Sequence, residues 1–352
     1  MIPRLPWPTR RQLLWATITL AIGTAGGIVF DSVGVPAAFL AGSMIAVALA
    51  ALARVPVALP MPLREAAFVI LGAILGTTVD RRTLDALPEW PVSLVGLLIG
   101  LVLLMTLVPL YLERLHGIDR RTARMCAIPG ALGHVVVLAL QLNVDARRVA
   151  ILHTLRLATL LTLIPAVGAL NDELRHVALA GARPALDWGP AILLIALSCA
   201  IVPLVKTLRF PAPTFIAPML FVGGLSMTGV VDGLMPGELL YPSLIVSGSV
   251  VGARFAGTTL PYMWHSLKAG VGGILLGIVL MGLMAWPVSV FTGVPFVQLW
   301  LAYAPGGFDA MPVLAFSLGL DPAFVAGHQL IRFVAISAAL PFLFRWPKDV
   351  DS

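Results

Sequence analysis

From Val92 to Leu112 the chain runs for 21 residues without an Asp, Glu, Lys, Arg or His, and from Ala269 to Phe291 it does so for 23. A helix rises 1.5 Å per residue, so either run reaches across a hydrocarbon core of about 30 Å. Both runs are continuous rather than alternating in polarity. That pattern implies membrane-spanning helices and excludes the strands of a membrane barrel. Composition agrees, with 59% hydrophobic and 11% charged residues, against about 25% charged in an ordinary soluble domain. The formal net charge of +6 is then loop charge that orients a polytopic chain, and no nucleic-acid partner is implied. The lipid bilayer is the first partner.

Further apolar segments fill the chain. They lie at residues 13–30, 36–53, 66–79, 92–112, 129–142 and 148–170, then at 191–205, 213–231, 239–256, 269–291, 305–320 and 322–344. This divides the sequence into a basic, aromatic N-terminal anchor (1–12), a first transmembrane repeat (13–170), a linker (171–190), a second repeat (191–344) and a cytoplasmic tail (345–352). The first residues have the basic start of a signal peptide, but no convincing small-residue cleavage site follows, so residues 13–30 are read as an uncleaved first span. Cys126 and Cys199 fall in or beside apolar segments, which predicts buried thiols and no disulfide framework.

One stretch occurs twice. Residues 129–165 and 305–341 align without a gap, 176 positions apart, with eleven identities in 37 positions. Pro129/Pro305, Gly130/Gly306, Asp145/Asp321, Arg156/Arg332 and Pro165/Pro341 are among them. We read an internal duplication. Each copy has a Pro-Gly break, a short apolar helix, an acidic turn and a longer helix with an arginine. Broken helices at matching places in two halves point to a transporter site. The likeness extends outward: Pro36–Met44 parallels Pro211–Met219, and Gly72–Gly76 parallels Gly248–Gly252. The last pair are small-xxx-small patterns, which suit close helix packing and are compatible with a homodimer.

Loop charge sets the expected topology. Arg4, Arg10, Arg11 and the cluster at Arg114, Arg120, Arg121 and Arg124 belong in the cytoplasm. In the second half the phase flips, with Lys206 and Arg209 where the first half has Asp31. The expectation is an all-α membrane protein of about ten crossings. It would have two inverted repeats of five spans, each with a re-entrant or broken Pro-Gly helix, and both termini cytoplasmic. Twelve spans in parallel repeats is the alternative.

At Pro36–Met44 (PAAFLAGSM), Gly248–Phe255 (GSVVGARF) and Pro305–Arg332, the chain resembles the AbrB-type integral membrane proteins of bacteria, which carry a duplicated domain. The resemblance spans nearly the whole chain, and the last pattern (PGG, then D-x-x-F-V-A-x-H-x-x-x-R) is the most specific. It implies a transporter of the bacterial cytoplasmic membrane, although some members carry labels such as regulator of gene expression or ammonia monooxygenase. The first copy departs from the pattern, with Ala131 for the second glycine and Leu152 for the histidine.

The candidate site residues follow from the duplicated stretch. Arg156 and Arg332 each lie eleven residues beyond their Asp, about 16 Å along a helix and so near mid-membrane. An arginine there must face a cavity, a carbonyl cluster or an anion. Two readings stay open: a permanent brace on broken-helix carbonyls, or a substrate contact. His153 and His328 lie three and four residues before their arginines, on the same helix face. Pro129, Gly130, Pro305, Gly306 and Gly307 free backbone groups at the breaks, and a helix starting there turns its positive end inward, which suits an anion. Asp309, unmatched in the first copy, would bind a cation or pair with Arg332. Asp145 and Asp321 sit where N-caps belong, with ion coupling as the sharper alternative. The histidines show no metal-ligand spacing, so no metal, cofactor or enzyme is expected. The function expected is a secondary transporter for a small, anionic or polar solute. The rival is a membrane-embedded regulator or scaffold that affects gene expression indirectly.

Overall fold

A computed structural model describes residues 9–79, 88, 90–129, 135, 139, 144–169, 184–208, 212–258, 260–307 and 309–343. Gly130, His134, most of segment 129–142, most of the anchor and linker and the whole tail lie outside the described residues. Among the described residues there are thirteen α-helices and no strand beyond an isolated bridge between Ala185 and Leu234. They are α1 (Arg10–Ser32), α2 (Ala38–Leu52), α3 (Met61–Thr78), α4 (Trp90–His116), α5 (Arg120–Ala127), α6 (Ala146–Ala169), α7 (Trp188–Thr207), α8 (Pro213–Met227), α9 (Leu240–Gly252), α10 (Leu260–Thr292), α11 (Phe296–Tyr303), α12 (Ala310–Ser317) and α13 (Pro322–Leu343). Seven of them contain a stretch long and apolar enough to cross a membrane: α1, α3, α4, α6, α7, α10 and α13. The chain is an all-α polytopic membrane protein.

Local signals set the ends. Thr9 and Gln12 form a reciprocal capping box at the start of α1 (3.3 and 2.8 Å). The Asp119 carboxylate accepts from Thr122 N at 2.9 Å to start α5. Two alanines take the left-handed conformation that usually needs glycine, Ala37 (φ 56°) before α2 and Ala212 (φ 42°) before α8. They occupy paralleled positions in the two halves.

The halves interlock. A Cβ on Gly72 of α3 would lie 2.3 Å from Phe215 O of α8, and one on Gly248 of α9 would lie 2.3 Å from Leu40 O of α2. Gly76 meets Met219 O and Gly252 meets Met44 O in the same way. Each small-xxx-small helix therefore packs on the helix of the other half, backbone against backbone, a contact that only glycine permits. One large core cluster joins Leu40, Leu71, Leu104, Met125, Leu160, Phe215, Met281, Tyr303 and Val325 across both halves.

The outer faces stay apolar. Val102, Ile192 and Val290 are exposed in the isolated chain, where they would meet lipid tails. Cys126 is buried, but Cys199 is exposed on α7, which corrects the expectation that both thiols are buried. In a membrane protein an apolar face is as apt to look toward lipid as toward the core.

Candidate solute site at the helix breaks

Both Pro-Gly breaks follow an eight-residue helix, α5 before Pro129 and α11 before Pro305. At about 1.5 Å per residue each is roughly 12 Å long, under half the thickness of a hydrocarbon core of about 30 Å. The sequence reading missed both, because neither is long enough to register as an apolar segment. Their boundaries coincide under the 176-residue offset, as do the starts of α6 and α13.

The C-terminal carbonyls of these half-helices have no partner within their own helix and carry the negative end of its dipole. The arginines meet them. Arg156 Nη1 donates to Cys126 O (3.3 Å) and Ala127 O (3.5 Å), and Nη2 to Ile128 O (3.2 Å). Arg332 Nη1 donates to Ala304 O, and Nη2 to Gly306 O at 3.1 Å. Both side chains are buried, at 7% and 2% exposure. Arg156 shares a small cavity with Pro305, which stands between the two carbonyls that Arg332 holds, and among the described residues neither arginine has an acidic partner in an ion pair. A cavity of about 20 Å³ is lined by Arg156, Cys126, Ala127 and Leu152 from the first half and Gly270 and Pro305 from the second. It has the volume of a single water. Pro129 and Gly306 are buried, whereas Gly307 and Asp309 are half-buried.

Residues one turn before each arginine share the task. His153 places Nε2 2.8 Å from Ile128 O and Nδ1 2.8 Å from Val149 O. A neutral ring has one N–H and donates to one of them at a time. In the second half the equivalent is Gln329, whose Nε2 donates to Leu301 O, Ala302 O and Ala304 O at 3.0–3.2 Å. Gln329 was passed over for His328, although it stands in register with His153. Gln329 Oε1 and Arg332 Nε are buried without a hydrogen-bond partner.

His328 turns elsewhere. Its Nε2 lies 2.7 Å from Ser93 Oγ at the start of α4, and its ring packs against Phe324 and Trp90, with centroids at 4.0 and 5.3 Å. Tyr303 donates to Ser93 O from α11. His328 therefore latches α13 to α4, and sharing a helix face with Arg332 does not bring it to the carbonyl cluster.

Asp145 Oδ1 accepts from Arg148 N at 2.9 Å, and Asp321 Oδ1 accepts from Ala323 N and Phe324 N at 2.8 and 3.1 Å. Their own amides are held from the half-helices by Thr122 Oγ1 (3.4 Å) and Gln298 Oε1 (3.2 Å), again 176 positions apart. Asp309 opens α12 without capping it. Among the described residues it forms no ion pair with Arg332. Among the described residues no three His, Cys, Asp or Glu side chains are grouped to hold a metal.

No solved structure matches the chain. A protein of Bacillus subtilis (strain 168) named "Uncharacterized protein YhjN" is 26% identical, covering 93% of this chain and 91% of that one. "Putative regulator AbrB" of Escherichia coli (strain K12) is 27% identical, covering 98% and 97%. The family model described as transition state regulatory protein AbrB matches residues 39–348, nearly the whole membrane-embedded part, and the chain belongs to that family.

Proposed function

We propose that the chain is a secondary transporter for a small anionic or polar solute, working by alternating access around the paired breaks in the bacterial cytoplasmic membrane. One observation carries this reading. Two buried guanidinium groups from different halves meet around Pro305, which shares a cavity with Arg156 and stands between the two carbonyls that Arg332 holds, and among the described residues both have only neutral carbonyls as hydrogen-bond partners. An unpaired charge in such a setting is costly, and an anion between the two would relieve both. Arg332 Nε and Gln329 Oε1 supply an unused donor and acceptor beside them. Broken backbone at this depth is tolerated where it lines a cavity or is buried in protein. The repeats are read as inverted and the termini as cytoplasmic, from loop charge.

A second reading rests on the words of the family description and of the Escherichia coli relative, which name a regulator. In it the chain senses a ligand at the same centre without moving it, acting on gene expression indirectly.

Solute flux separates the two. In proteoliposomes preloaded with a panel of radiolabelled small carboxylates and inorganic anions, the wild type exchanges at least one solute. Arg156→Gln and Arg332→Gln lower that rate at least tenfold while remaining monodisperse. Wild-type rates in both folded variants overturn the site. No exchange of any solute favours the regulator.

A further inference from the structure

A second cavity lies apart from the small one beside Arg156. It holds about 340 Å³ and lies between α6 and the turn that follows α9. This falls at the small end of ligand pockets, about 300–1,000 Å³. On one wall Arg147, Ala150, Ile151 and Thr154 repeat at helical spacing along a single face of α6. The other wall is the turn from Arg254 to Thr258, which Gly257 closes at φ +76°.

The lining is of two kinds. Two guanidinium groups and two hydroxyls supply polarity, and Ile151 and Phe255 supply an apolar surface. Among its described lining residues there is no carboxylate. Arg254 is partly buried; burial pulls its pKa below the usual value, and the Asp309 carboxylate at the second break pulls it back up. Through Thr154 the cavity reaches α6 beside His153, which contacts the carbonyl before the first break. It has no counterpart in the other half, where the 176-residue offset places Ala323 and Thr78 in register with Arg147 and Arg254.

We infer that this cavity is a binding site for a small organic monocarboxylate, held at its carboxylate by Arg254 and Arg147 with its apolar body against Ile151 and Phe255. Arginine offers a planar fork that matches a carboxylate. An inorganic anion of the same charge would leave the apolar wall unused. The inference deepens the transport reading and rests on it only for the site's place on the route.

The test is equilibrium binding to the full-length protein in detergent, by calorimetry. The probes are benzoate and butyrate, with benzamide, butyramide and inorganic phosphate as comparisons. The two carboxylates bind saturably, whereas the amides and phosphate bind at least tenfold more weakly. Arg254→Gln weakens benzoate at least tenfold, and R147Q/R254Q abolishes it. Should the arginine variants fail to fold, Ala150→Trp fills the cavity with both charges retained and also abolishes binding. Absence of carboxylate binding to the wild type, or binding unchanged in R147Q/R254Q and in Ala150→Trp, overturns the assignment. Binding lost in these variants from a protein that exchanges no solute keeps the site and overturns transport. Flux that needs Arg156 while benzoate ignores R147Q/R254Q keeps transport and overturns the site.

Discussion

The Arg156 guanidinium donates to the Ile128 carbonyl at 3.2 Å, and 176 residues later Arg332 makes the equivalent bond to Ala304. Each arginine closes the open end of a half-helix that the chain breaks with Pro-Gly. The brace is thus common to both halves, and any solute contact has to use what the brace leaves over.

Removing one brace exposes its weight. Arg332→Met strips the side-chain donor from Gly306 O in a buried setting, while Ala304 O keeps Gln329 Nε2. A buried polar group left unmet costs about 1–3 kcal/mol, so a loss of about 2 kcal/mol is expected by thermal or denaturant unfolding in detergent. Arg332→Lys recovers only part of it, because a single ammonium does not reproduce the planar fork that reaches two carbonyls.

The glycine crossings are predicted to be intolerant and matched. Gly248→Ala drives a methyl group to 2.3 Å from Leu40 O, and Gly72→Ala drives one to the same distance from Phe215 O. Overpacking of this kind costs about 1–3 kcal/mol. Gly224→Ala, with open space around its Cβ position, serves as the comparison and should gain about 0.5–1 kcal/mol within α8. Equal stability of all three variants would contradict the packing described.

At Asp321 the cap can be separated from a coupling charge. Asp321→Ala loses the bonds to Ala323 N and Phe324 N and about 1 kcal/mol. Asp321→Asn keeps a side-chain oxygen for capping, and is expected to keep both stability and flux. Flux abolished in a stable Asp321→Asn protein would instead assign the carboxylate to ion coupling.

Ser93 and His328 are joined across 235 positions of sequence by a 2.7 Å bond. A double-mutant cycle with Ser93→Ala and His328→Phe should return a coupling of about 1 kcal/mol. Strict additivity would show that the ring is held by Phe324 and Trp90 alone.

How much was legible beforehand follows from the range of the forces involved. The membrane class, the all-α architecture and the positions of the breaks were readable, because apolar runs such as 92–112 and Pro-Gly pairs such as Pro305-Gly306 act within their own segment. The half-helices α5 and α11 were not, since eight residues are too few to register as a span, and α5 also carries arginines at 120, 121 and 124.

The sequence alone placed two arginines at matching heights, eleven residues beyond a helix start in each half. Only the tertiary structure decided what they touch. The carbonyls of Ile128 and Ala304 lie 28 residues away from their arginines, and Phe215 O meets Gly72 from the other half. The cavity between Arg147 and Arg254 joins segments more than a hundred residues apart. Such meetings are set by how helices dock, through backbone approach and buried donors finding acceptors, and no local pattern records them.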